Sequence, residues 1–233
     1  YEQATKIINM CKALVLSLNT VTSARMSYLF QLEKFDEIKQ RIKNTINFEL
    51  MVSIPVTAGI MSINSTFVPI FFGEGYDGVI PILYILSPII FVVGISNCLG
   101  SCYFTPSGQR AKSNKIVLLG AGLNFIINLI LIFPLKAIGA AIASIIAELF
   151  ILVFYLIICK EWISFKTLIK MMYKKIISAC FMSIFVCLLS YFFEKNIFLL
   201  IIQIAIGAVI YFVFLMILKD DSIINILKKL KKE

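Results

Sequence analysis

Six residues of this 233-residue chain need a chemical reason for standing where they do: Glu148, Asn124, Asn128, Lys6, Asn9 and Lys12. Ile116 to Phe133 carries no charge, and Ala137 to Cys159 carries Glu148 alone. Each run is long enough to cross a hydrocarbon core of roughly 30 Å. Glu148 lies about 11 residues past the break at Phe133-Pro134-Leu135-Lys136, which is close to mid-bilayer at about 1.5 Å per residue. An ionisable group at that depth costs roughly 2.5 to 3.5 kcal/mol on insertion scales and ordinarily faces a cavity or a partner. Glu148 therefore reads as a cavity or coupling group, with a neutralised packing residue as the other reading. Asn124 and Asn128 are four apart and share a helix face with Gly120 and Ala121. On the second run Gly139, Ala140, Ala143, Ser144 and Ala147 form a small-residue side. Small residues and asparagines also serve plain helix packing in lipid, so for Asn124 and Asn128 that reading stands beside the cavity one.

The elements that must position these residues follow from hydropathy and period. Tyr1 to Ala24 is amphipathic at the helical spacing, with Glu2, Thr5, Lys6, Asn9, Lys12, Asn19 and Thr20 on one side and Ile7, Ile8, Leu14, Val15 and Leu18 on the other. A basic helix lying on a membrane surface has a similar pattern. Two lysines among several asparagines and threonines favour instead a span whose polar side lines a wet cavity. Arg25 to Thr45 is charged and reads as a solvated helical loop. Ile46 to Phe72 is a span containing Pro55, with Glu49 near enough to its inner end to reach the headgroups. Val79 to Tyr103 is the next span, interrupted by Pro88, Gly94 and Gly100. The Asn124 and Glu148 helices follow, then a basic loop to Lys175 with Trp162 at its membrane edge. Ile176 to Phe193 and Ile197 to Leu218 close the chain before a lysine-rich tail.

Composition excludes several classes. With 60% hydrophobic and 15% charged residues the chain is an all-α integral membrane protein of about seven transmembrane helices. It has no histidine, which removes the commonest general base and metal ligand. Its six cysteines lie in or beside apolar segments and suit packing, not a disulfide or zinc framework. The net charge of +9 does not indicate nucleic acid. Apart from Lys6 and Lys12 within the first span, every lysine and arginine except Lys136 and Lys195 falls in one alternate set of connections. The positive-inside rule makes that set cytoplasmic, with residue 1 outside and the C-terminus inside.

Several segments in this order resemble a known family. Tyr1-Glu2-Gln3-Ala4-Thr5-Lys6-Ile7, Arg25-Met26-Ser27, Pro69-Ile70-Phe71-Phe72-Gly73 and, above all, Gly120 to Ile132 followed by Gly139 to Glu148 are similar to the second half of the polysaccharide flippases. These flippases move undecaprenyl-linked oligosaccharides and belong to the multidrug, oligosaccharidyl-lipid and polysaccharide exporter superfamily. Ala24 stands where the family has a proline before Arg-Met-Ser. The resemblance covers most of residues 1 to 160, and the last two spans match as extra hydrophobic helices.

The resemblance implies the second lobe of a two-lobed, 14-span transporter, in the bacterial cytoplasmic membrane. Residues 1–160 would form a five-span lobe, 161–175 a cytoplasmic basic loop, 176–218 two additional helices and 219–233 a basic cytoplasmic tail. The implied activity is flipping of a lipid-linked oligosaccharide for capsule, O-antigen or another surface polysaccharide, with no enzymatic step and no cofactor. The implied partners are the undecaprenyl-pyrophosphate-linked oligosaccharide, the bilayer, the N-terminal lobe and a polysaccharide polymerase. Within that cycle Lys6, Lys12 and Arg25 are the candidates for the pyrophosphate, since cationic groups make charge-assisted bonds to it. Asn9, Asn124 and Asn128 are the sugar-binding candidates, and Glu148 is the candidate coupling group. A drug exporter of the same superfamily and a membrane enzyme of glycan assembly are the alternatives. Such an enzyme calls for a sizeable outer loop, and the outer turns here are short.

Overall fold

The computed structural model describes residues 1–17 and 22–224, without the side chains of 22–24. In the described residues the chain forms helices α1 (Glu2–Leu16), α2 (Thr22–Gln31), α3 (Phe35–Phe72), α4 (Val79–Leu86), α5 (Ile89–Leu99), α6 (Arg110–Ile158), α7 (Phe165–Phe192) and α8 (Ile197–Ile217), with a π turn at Gly100–Phe104 after α5. Long apolar segments become helices because lipid offers no partner for a free backbone N–H or C=O. Five helical stretches are long and apolar enough to cross a membrane: Phe35–Phe72, Val79–Phe104, Arg110–Ile158, Phe165–Phe192 and Ile197–Ile217.

Helix α6 is two legs. Lys136 leaves helical geometry at φ 50 and ψ −126, two residues after Pro134, and the chain doubles back. Close contact between the legs depends on glycine. A Cβ on Gly139 would overlap the Leu131 carbonyl, and one on Gly120 would sit 2.7 Å from Ile151. With both legs counted, and α1 packed beside α4 and α5, the described helices supply the seven expected legs. The first span is expected over Tyr1 to Ala24; α1 is described as Glu2–Leu16, and Leu18 to Val21, including Asn19 and Thr20, lie outside the described residues. The lysine-rich tail from 225 onward does too.

From Phe35 the solvated helical loop expected over Arg25 to Thr45 runs without a break into the next span, and the expected basic loop is partly helical. Helix α3 begins at Phe35, so its 38 residues extend about 57 Å, well beyond a bilayer core. Its first turns are not simply solvated: Ile38, Ile42 and Ile46 are fully buried in one cluster with Met26 and Leu29 of α2. An i, i+4, i+8 stripe of isoleucine, interrupted by charges, seats α2 on the head of α3. The stretch 161–175 is helical from Phe165, where Ser164 caps α7 by accepting a hydrogen bond from the Thr167 amide at 3.2 Å. Trp162 packs its ring against Phe30, Phe35 and Tyr103.

Pro55 inside α3 leaves the Met51 carbonyl without its helical donor. The Tyr211 hydroxyl of α8, itself buried, donates to that carbonyl at 3.1 Å. This ties α8 to the middle of α3. Glu49, expected to reach the headgroups, is 1% exposed and packs on α5, where a Cβ at Gly94 would stand 3.0 Å from its Oε1. The length of α3 explains the correction, because it starts at Phe35, about three turns before the expected start at Ile46, and draws Glu49 into the bundle.

Candidate functional site

Helix α1, the junction of α4 with α5, and both legs of α6 enclose a cavity of about 360 Å³. Its polar lining comes from Tyr1, Thr5, Asn9 and Lys12 of the first helix and from Asn124, Ser144 and Glu148 of α6. Leu86, Ile89, Val117 and Ile151 complete the wall. The geometry follows from the sequence pattern. Ala4, Ile8 and Val15 bury one side of α1 against the α4 and α5 core, which leaves Thr5, Asn9 and Lys12 turned to the opening. On α6 the small residues Gly120, Ala121, Ser144 and Ala147 let the legs close while keeping room between their polar groups.

The cavity is held together by few bonds. The Tyr1 and Ser144 hydroxyls meet at 3.2 Å and link the start of α1 to the second leg of α6. Ser144 also donates to the Ala140 carbonyl at 2.9 Å. Lys12 and Glu148 bring opposite charges into the same space and attract across it. The three ion pairs among the described residues are Glu2–Lys6, Glu37–Arg41 and Lys175–Asp220, and Lys12 and Glu148 belong to none of them.

The sequence-derived candidates divide into two groups. Asn9, Lys12, Asn124 and Glu148 line the one cavity. Asn128 stands one turn away from it and donates to the Asn124 side-chain oxygen at 2.7 Å and to the Asn124 carbonyl at 3.0 Å, so it orients Asn124. Lys6 faces outward in an exposed ion pair with Glu2 at 2.7 Å, a contact worth little in water. Arg25 is exposed on α2 away from the cavity lining.

One polar centre was not foreseen. Lys175, counted among the basic loop residues, is fully buried. Its ammonium reaches Asp220 at 3.0 Å, Asn47 at 2.7 Å and the Met171 carbonyl at 3.1 Å. Asp220 in turn accepts from the Ser222 amide at 2.9 Å. This network fastens the segment after α8 to α3 and α7. Its members are separated by 45 and 128 residues in the chain, so no local spacing announces it.

Comparisons with known proteins place these features in context. The family model described as Lipid II flippase MurJ matches residues 2–207, past the limit of about 160 to which the sequence resemblance extends. A protein of Escherichia coli (strain K12) named "Putative O-antigen transporter" is 39% identical over 88 residues, which make up 36% of this chain and 20% of that protein. The solved structure of lipid II flippase MurJ in its inward closed conformation is similar in fold, with a TM-score of 0.75 at 22% identity, over 94% of this chain and 46% of that one. The chain thus spans less than half the length of either relative.

Proposed function

Because the chain belongs to the lipid II flippase family MurJ, we propose that it forms the second lobe of a two-lobed transporter that flips a lipid-linked oligosaccharide repeat unit across the bacterial cytoplasmic membrane. The observation that carries the reading is the convergence of Asn9, Lys12, Asn124 and Glu148 on one cavity of the helical bundle. Polar groups cost free energy in lipid unless a wet site uses them. The substrate on this reading is an undecaprenyl-pyrophosphate-linked oligosaccharide used for capsule, O-antigen or a related surface polymer. A polysaccharide polymerase takes the flipped unit, and an N-terminal lobe supplies the facing wall of the path.

Each residue then has a defined task. Lys12 meets the pyrophosphate as a compact cation. Asn9 and Asn124 exchange hydrogen bonds with sugar hydroxyls, and Asn128 keeps the Asn124 amide oriented. Arg25, exposed outside the cavity on the cytoplasmic side, attracts the anionic head group as it approaches, whereas Lys6 is held by Glu2 and takes no part. Glu148 couples the cycle through its charge, which opposes the substrate's phosphate when present and ceases to when neutralised. No covalent bond is made or broken, so the reading is of a transporter and not an enzyme. Residue 1 lies outside and the C-terminus inside on this reading, which the charge asymmetry supports. Residues 1–160 carry the transport lobe, 161–175 a cytoplasmic basic segment, 176–218 an added helical pair and 219–233 a basic tail.

Deleting the gene tests this reading. The lipid-linked repeat unit should accumulate on the cytoplasmic leaflet while drug susceptibility stays unchanged. Normal surface glycan together with altered drug susceptibility would replace the reading with a small-molecule exporter.

A further inference from the structure

Glu148 borders a second chamber, of about 390 Å³, lined by Ser96, Asn97, Ser101, Thr105, Ser113 and Tyr155. Val117 and Ile151 stand with Glu148 in the walls of both chambers, so the carboxylate is the polar group at their junction. The second chamber differs in chemistry from the first. Its lining carries hydroxyls and one amide, with Glu148 as its carboxylate. The Ser96 and Ser101 hydroxyls donate to the Val92 and Cys98 carbonyls at 3.1 and 3.2 Å, leaving their oxygens as acceptors. Ser113 and Tyr155 bond to each other across the legs of α6. Water enters a cavity that offers it two to four polar partners, and several waters of about 30 Å³ each fit this one.

The local backbone serves the same end. The π turn at Gly100–Phe104, closed by the Thr105 amide donating to the Gly100 carbonyl at 3.0 Å, sets Gly100, Ser101 and Thr105 along the chamber wall. Turns of this kind recur at functional sites. Asn97 and Thr105 are exposed at the mouth, next to the turn that leads to Arg110 and Lys112.

We propose that this chamber is a water-filled vestibule that supplies protons to Glu148 from the cytoplasmic solution. A proton passes along hydrogen-bonded waters to a Glu148 carboxylate oxygen and leaves by the same route, with only O–H bonds made and broken. The titratable groups facing Glu148 are Lys12 from α1 and Tyr155 from its own leg, while α5 presents Ser96, Asn97 and Ser101, which do not titrate near neutrality. The vestibule deepens the coupling role given to Glu148 above and shares its orientation, but its test does not depend on transport.

The experiment uses the full-length protein in sealed vesicles of both orientations, with Cys11, Cys180 and Cys187 replaced by alanine. The probe is a membrane-impermeant, positively charged methanethiosulfonate. Asn97→Cys and Glu148→Cys should each react roughly tenfold faster when the cytoplasmic face is exposed than when the outer face is. Filling the vestibule with Ser101→Trp, or its mouth with Thr105→Trp, should slow Glu148→Cys by roughly tenfold and leave Lys112→Cys unaffected. An unreactive Asn97→Cys, or a Glu148→Cys rate indifferent to both tryptophans, would overturn the vestibule. Where a tryptophan variant fails to insert, the sidedness of Asn97→Cys decides alone. Labelling as expected in a protein that exports no lipid-linked glycan would uphold the vestibule and sink the flippase reading.

Discussion

Lys12 lies on the polar face of the first helix and Glu148 at the edge of the small-residue side of the second leg of α6, one turn from Ser144, and the fold brings the two together. That much of the site was legible, because i and i+4 positions on a helix must share a side. What the period cannot give is depth and partner. Lys6 lies on the same face as Lys12, yet the fold leaves it outside with Glu2. Lys12→Ala should therefore lower export roughly tenfold, equivalent to losing about 1.4 kcal/mol of substrate interaction, while Lys6→Ala leaves export close to wild type. Rates of precursor export in cells carrying each variant at equal abundance separate the two. Equal losses would mean that helical face, and not the cavity, sets the phenotype. Lys175 shows the opposite limit. A lysine in a basic run reads as solvated, and its buried role emerges only when Asn47 and Asp220 arrive from distant parts of the chain.

At the scale of elements, the apolar runs and the break at Pro134 were sufficient to predict two legs and a sharp turn, because a charge-free run in lipid has helix as its open course. Helix ends were less legible. The buried stripe Ile38, Ile42 and Ile46 is hidden among charges that dominate local hydropathy, so the head of α3 reads as a solvated helical loop and not as a buried part of the span. The close approach of the α6 legs yields a paired prediction. Gly120→Leu must displace Ile151 and should cost about 1 to 3 kcal/mol, the usual range for overpacking. Gly122→Leu, whose Cβ position meets nothing within 4 Å, should leave thermal unfolding in detergent unchanged. The buried ion pair gives another. Lys175→Met strands the Asp220 charge and should destabilise by about 3 to 5 kcal/mol, whereas joining it to Asp220→Leu restores much of the loss. A double variant no better than the single would show that the ammonium's bonds to Asn47 and Met171 dominate.

For the whole molecule, the segregation of positive charge and the matched segment order were enough to reach the family, since both are properties of the entire chain and survive local error. The family assignment and the cavity then meet in the proposal that this chain helps carry polar head groups past lipid through the space shared by α1 and α6. Its most direct test measures how much lipid-linked repeat unit becomes cleavable by a membrane-impermeant glycan hydrolase added outside spheroplasts. Wild type and a Lys12→Ala, Glu148→Gln double variant, inserted to the same level, would be compared. The account predicts that the unit is cleaved in wild type and stays protected in the double variant. Equal cleavage in both would contradict it, and the cavity would then have no part in the path.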